Sequence, residues 1–121
     1  MGLNNTSGIL LIGGYPKGYD KPFDEHTVSG RRLKIILDRN NLKPKIMDLW
    51  DNQREEESGH VPYTKTNEIG GHIITGWRVI ALGHWVHNCL QRHSINVEYL
   101  PHPASRKQSD LERLENGLCN K

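Results

Sequence analysis

The sequence predicts one α/β domain over residues 1–121, a three-layer αβα sandwich around a four-stranded parallel sheet. Three observations predict it. Ile9 to Ile12 is an unbroken apolar run between glycines, as expected of a strand buried on both faces. Apolar runs of strand length then alternate with stretches of helical spacing, the order that right-handed crossovers turn into a parallel sheet. Finally, a chain of 121 residues, 35% hydrophobic and 25% charged, can enclose one core but is short for two ordinary ones.

The elements follow in order. After the first strand, residues 13 to 25 carry Gly13, Gly14, Pro16, Gly18 and Pro22 and must be a loop. Ser29 is placed to cap a helix whose Leu33, Ile36 and Leu37 recur at helical spacing until Asn40 and Asn41 end it. Pro44 precedes a second strand from Lys45 to Trp50. Residues 51–72 are polar and glycine-punctuated without a clean period, and read as a long loop with at most one short element, a candidate lid or partner surface. Trp77 to Leu82 is the third strand, and Gly83 opens a helix with Trp85, Val86, Cys89 and Leu90 on one face. A fourth strand, Asn96 to Leu100, runs into Pro101-His102-Pro103-Ala104-Ser105, after which Asp110 to Asn116 forms a helix that Gly117 ends.

Composition narrows the function. Sixteen Lys plus Arg against fourteen Asp plus Glu give a formal charge of +2, which demands no nucleic-acid partner by itself. Arg31, Arg32 and Lys34 follow one suspect loop, however, and Arg106, Lys107 and Arg113 follow the other. Two cysteines, Cys89 and Cys119, without a signal peptide fit a reducing compartment and no structural disulfide. No apolar run approaches the ~20 residues that span a bilayer, so a soluble, cytoplasmic protein without a membrane partner is expected. His84, His87, His93 and Cys89 lack the spacing of a zinc site, and no metal or cofactor is expected. Glu55, Glu56 and Glu57 read as a solvated run, and Trp50, Trp77 and Trp85 as core residues.

In open α/β sheets ligands bind outside the carboxyl ends of the strands. The unusual residues of this chain fall there. Gly13 and Gly14 allow a tight turn and close approach of a ligand, Pro16 stiffens the path, and Lys17 offers a point charge to a phosphate. The pattern lacks the Gly-Lys-Ser/Thr of a phosphate loop. His102 lies between two prolines directly after a strand, a backbone frame that a catalytic or base-contacting imidazole benefits from.

These loops together resemble the uracil-DNA glycosylase superfamily, in particular a small, divergent, phage- or bacteria-encoded form. The motifs are a strand ending in Gly13 with Pro16 three residues later, then Pro22-Phe23 and Ser29-Gly30 opening a leucine-bearing helix. Ala81-Leu82-Gly83 opens another helix, and a strand leads into His102-Pro103-Ala104-Ser105. The resemblance covers most of the chain and implies a minimal form of that fold, DNA repair by a hydrolase of the glycosidase type, and DNA as partner, single-stranded or duplex with a flipped base. By the same resemblance Gly13, Gly14, Tyr15, Pro16 and Lys17 form the base-binding loop and Phe23 stacks on the base. His102 supports its carbonyl, and Ser105 with Arg106 meets the DNA. Excision needs the nucleotide out of the stack, an aromatic face, donors where charge collects, and a group to orient water. Where the family carries an acid or amide in the first loop, this chain has Gly14 and Tyr15; Asp20 is the nearby carboxylate that could replace it. Asp48 and then Asn52 stand nearest to the position of the family's pyrimidine-reading amide.

Two alternatives accompany this reading. One is a catalytically inactive module on the same fold that binds DNA or a protein. The other is a small nucleotide-processing enzyme using Lys17 and the glycine loop.

Overall fold

The computed structural model describes residues 8–15, 23, 24 and 26–119. Among the described residues, four strands form one parallel sheet: β1 (Ile9–Gly13), β2 (Lys45–Asp48), β3 (Arg78–Leu82) and β4 (Glu98–Leu100), in the spatial order β2-β1-β3-β4. Leu11 sits beside Ile46 on one side and Ile80 on the other. The apolar run of β1 is therefore central, with Leu10, Leu11 and Ile12 fully buried.

Among the described residues, five helices cover the two faces: α1 (Val28–Arg39), α2 (Gln53–Ser58), α3 (Tyr63–Ile74), α4 (His84–Arg92) and α5 (Gln108–Cys119). Alternate residues of a strand face opposite ways. Leu11, Ile80 and Leu82 pack with Leu33, Ile36 and Leu37 of α1 and with Leu114 and Leu118 of α5. Leu10, Ile12, Val79 and Ala81 pack on the other face with Ile69 of α3, with Val86, Cys89 and Leu90 of α4, and with Trp50. The α/β class and four-stranded parallel sheet of the sequence reading are present, in layers of helix, sheet and helix.

Local structure differs from the sequence reading in four places. Residues 51–72 are mostly helical, because α2 and α3 occupy them. Helix α2 buries no residue and α3 buries only Ile69, so neither leaves an apolar period to read. The cap of α1 is Thr27, whose Oγ1 accepts from the Gly30 N–H at 2.9 Å, not Ser29. Gly117 lies inside α5 and does not end it; a Cβ there would collide with Leu100, so the glycine lets helix and strand approach closely. Trp50 is fully buried, but Trp85 is a rim residue, 39% exposed.

Both cysteines are free. Burial pushes the Cys89 thiol upward, partly offset by the Arg92 charge. Among the described residues, no helix is long and apolar enough to cross a membrane.

Candidate functional site at the carboxyl edge of the sheet

The chain leaves β1 for β2 in one direction and later returns past β1 to β3 and β4 in the other. The strand order reverses between β1 and β3, where the crossover helices of neighbouring strands lie on opposite faces and leave a crevice at the carboxyl ends. Gly13 and Gly83 are the residues at those two ends.

Phe23 reaches this edge from the first loop. A Cβ on Gly13 would run into its ring, so the missing side chain is what admits it. Phe23 has φ +55°, a left-handed backbone that a bulky residue rarely adopts. The neighbouring chain is fixed by a compact cap. Thr27 N–H and Oγ1–H both donate to the Asp24 carbonyl, at 2.9 and 2.7 Å, and Asp24 Oδ1 accepts from the His26 N–H at 2.9 Å. Gly30 completes the arrangement, since a Cβ there would enter the Phe23 and Asp24 carbonyls. Gly30 thus lets residues 23 and 24 lie directly on α1.

His102 arrives from the far end of the sheet. Its ring centroid lies 5.7 Å from that of Phe23, tilted by 48°. Its ring also covers Gly83, where a Cβ would sit 3.4 Å away; Gly83 has φ +100°, a region that favours glycine. The Ala104 N–H donates to His102 Nδ1 at 3.0 Å. Because that nitrogen accepts, a neutral His102 carries its proton on Nε2 and is a donor there. Arg32 ties the loop to α1, donating from Nη1 to the carbonyls of Ser105 at 2.8 Å and Pro103 at 3.3 Å. It is a brace rather than an exposed basic residue. Ser105 Oγ donates to Asp110 Oδ2 at 2.6 Å and accepts from the Lys107 N–H at 3.2 Å, so it shapes the turn. Arg31, Arg106 and Lys107 are exposed.

The remaining sequence candidates divide. Asp48, at the end of β2, lies 3.5 Å from Lys65 Nζ, which is also 3.4 Å from Asp51. Asn52 caps α2, its Oδ1 accepting from the Glu55 N–H at 2.9 Å. Its side-chain oxygen therefore serves the helix start. Tyr15 packs against the core on the α3–α4 face. Pro16, Lys17 and Asp20 lie outside the described residues.

One residue of the edge was missed by sequence reasoning. Glu56 of α2, placed above among solvated carboxylates, turns inward, and its Oε2 accepts from the Tyr15 N–H at 3.2 Å. The same oxygen occupies the space a Cβ of Gly14 would take. Its neighbours serve elsewhere: Glu55 accepts from the Asp51 N–H at 3.0 Å and Glu57 from Gln53 Nε2 at 2.9 Å. The available signal was Asn52 followed three residues later by Glu55, an arrangement close to a capping box, which marks a helix start. Once α2 is a helix, one indole anchors it and a second holds the chain just after it. Trp85 Nε1 donates to the Glu56 carbonyl at 2.6 Å and Trp50 Nε1 to the His60 carbonyl at 2.8 Å.

The histidines weighed as metal ligands have other contacts. His84 stacks on Tyr99 with Nε2 3.0 Å from its hydroxyl, His87 meets the same ring edge-on, and His93 Nδ1 lies 2.9 Å from the Cys89 carbonyl. Among the described residues, no three His, Cys, Asp or Glu side chains converge as a metal site.

Fold and site define a class: a parallel α/β protein with an aromatic–imidazole pair and a carboxylate at its topological switch point. Comparison with known protein families, with curated proteins and with solved structures finds no match to this chain.

Proposed function

We propose that this is a DNA-binding, uracil-DNA glycosylase-like protein of the cytoplasm that recognises a flipped-out base and hydrolyses its N-glycosidic bond. The observation that carries the reading is the meeting of Phe23 and His102 at the carboxyl edge. They come from loops far apart in sequence, and glycines at the ends of β1 and β3 make room for both. Phe23 supplies a face for an unstacked base. His102, donating from Nε2, supports a base carbonyl as negative charge develops on the leaving group. The exposed Arg31, Arg106 and Lys107 supply phosphate contacts.

The test is release of base from a duplex and a single strand carrying one uracil, read by strand cleavage at the abasic site, with hypoxanthine and modified-pyrimidine strands beside it. Release that Phe23→Ala and His102→Ala each reduce by at least about 100-fold is the expected result. Intact folding with no release from any of these strands removes the hydrolytic reading.

A second reading, a DNA- or protein-binding module without turnover, draws on Gly14 and Tyr15, which supply no acid from the first loop. Steep loss of DNA affinity with salt and no base release would favour it. The nucleotide-processing alternative is disfavoured by Glu56. Its carboxylate already takes the Tyr15 N–H that a phosphate would need, and like charges repel.

A further inference from the structure

We infer that Glu56 is the water-orienting carboxylate of this site, delivered by α2 from across the sheet edge; the inference rests on the base-excising reading above. At the positions where the resemblance expects an acid or amide, the first loop has Gly14 and Tyr15. Helix α2 supplies one. Of the three consecutive glutamates, Glu56 alone turns onto the first loop, accepting from the Tyr15 N–H at 3.2 Å, whereas Glu55 and Glu57 stay at the ends and outer face of their own helix. Gly14 has no side chain where the carboxylate lies, and the Trp50 ring would be 3.5 Å from a Cβ there, so the group rests against an apolar wall. The indole of Trp85 holds the Glu56 carbonyl at 2.6 Å, which fixes the turn of helix that aims the side chain.

Successive residues of an extended strand face opposite ways. Gly13 therefore meets Phe23 on one side of the end of β1, and Gly14 meets Glu56 on the other. A nucleotide lying across that end, base against Phe23, brings its sugar toward Glu56. In the step this geometry supports, the C1′–N bond breaks and its electron pair leaves with the base, whose carbonyl is held by His102. Water held by Glu56 adds its oxygen to C1′, and its proton passes to the carboxylate and on to solvent or the base anion. The products are free base and an abasic sugar with a C1′ hydroxyl.

The experiment measures base release from the uracil-containing duplex by wild type, Glu56→Gln, Gly14→Ala, Glu55→Gln and Asp20→Asn. Glu56→Gln keeps an acceptor for the Tyr15 N–H and removes the charge. Gly14→Ala leaves Glu56 in the chain but pushes aside the flexible end of its side chain. Both are expected to lower kcat by roughly 100-fold or more, the usual scale of acid–base catalysis, with KM for DNA and melting temperature unchanged. Glu55→Gln is expected to retain wild-type kcat, and formate is expected to restore turnover to Glu56→Ala. Should Glu56→Gln fail to fold, Gly14→Ala and formate rescue decide. Full turnover by Glu56→Gln alongside loss in Phe23→Ala overturns the role of Glu56 and leaves the base-excising reading standing. So does loss in Asp20→Asn with Glu56→Gln active. A folded wild type that releases no base overturns both.

Discussion

The face of the sheet under α1 and α5 is closed by leucine and isoleucine from two helices of twelve residues each, whereas the opposite face buries Trp50, Met47 and Cys89 and uses indole hydrogen bonds to hold a six-residue helix. The aliphatic face is a non-directional seal, stable because of the area it removes from water. The tryptophan face is directional: each indole N–H has one carbonyl to satisfy, and satisfying it fixes where α2 lies. The first kind of packing builds the platform. The second aims a carboxylate.

This contrast can be broken most forcefully on the aliphatic face. Leu114 is fully buried between α5 and the sheet, and Leu114→Ala is expected to destabilise the fold by about 2–5 kcal/mol in a denaturant titration. Per folded molecule, the site should function as before. A smaller change in stability with a larger change in the site is expected from Trp50→Phe. It removes the donor to the His60 carbonyl and some buried ring volume, at about 1–3 kcal/mol. Any base release should fall with it, because the chain just after α2 loses an anchor; equal activity per folded molecule in the two variants would erase the distinction between the faces.

The smallest effect belongs to the outer surface, where Arg39 and Glu115 link α1 to α5 at 2.7 Å. The hydrogen bonds from Arg39, and then from Asn40, hold the Glu115 carboxyl below its ordinary range. Such a group adds stability above the unfolded carboxylate range and loses it as pH falls through the lowered folded value. Glu115→Gln should therefore melt slightly below wild type at neutral pH and low salt. The gap should close in acid and in molar salt, as for any exposed pair.

The same contrast explains what was legible in the sequence. Helix α1 shows itself through Leu33, Ile36 and Leu37 because its apolar stripe is continuous, and β1 through a run buried on both faces. Helix α3 is hidden: it begins at Pro62 without a side-chain cap, contains Gly70 and Gly71, and buries only Ile69, so propensity and period are both weak and tertiary contacts hold it. The site was legible where a residue is singled out by its own backbone, as with His102 between prolines and the glycines ending β1. It was illegible at Glu56, since three adjacent glutamates look alike until helical rotation sends each a different way. Arg32 shows the converse. It reads as part of a basic patch, yet it braces the His102 loop through two carbonyls.

The two rim strands of the sheet have a consequence for behaviour at high concentration. Strands β2 and β4 are four and three residues long, and each opens on a charged residue, Lys45 and Glu98, with Lys45 lying near Glu68 and Glu98 paired with Arg78. An open sheet invites another chain to add a strand along its border, the first step toward fibrillar association. Borders this short, with ion pairs at their entrances, give an incoming strand few amides to pair with and charges to strip of water. The parallel sheet can thus stay open at both sides without becoming a template for its own copies.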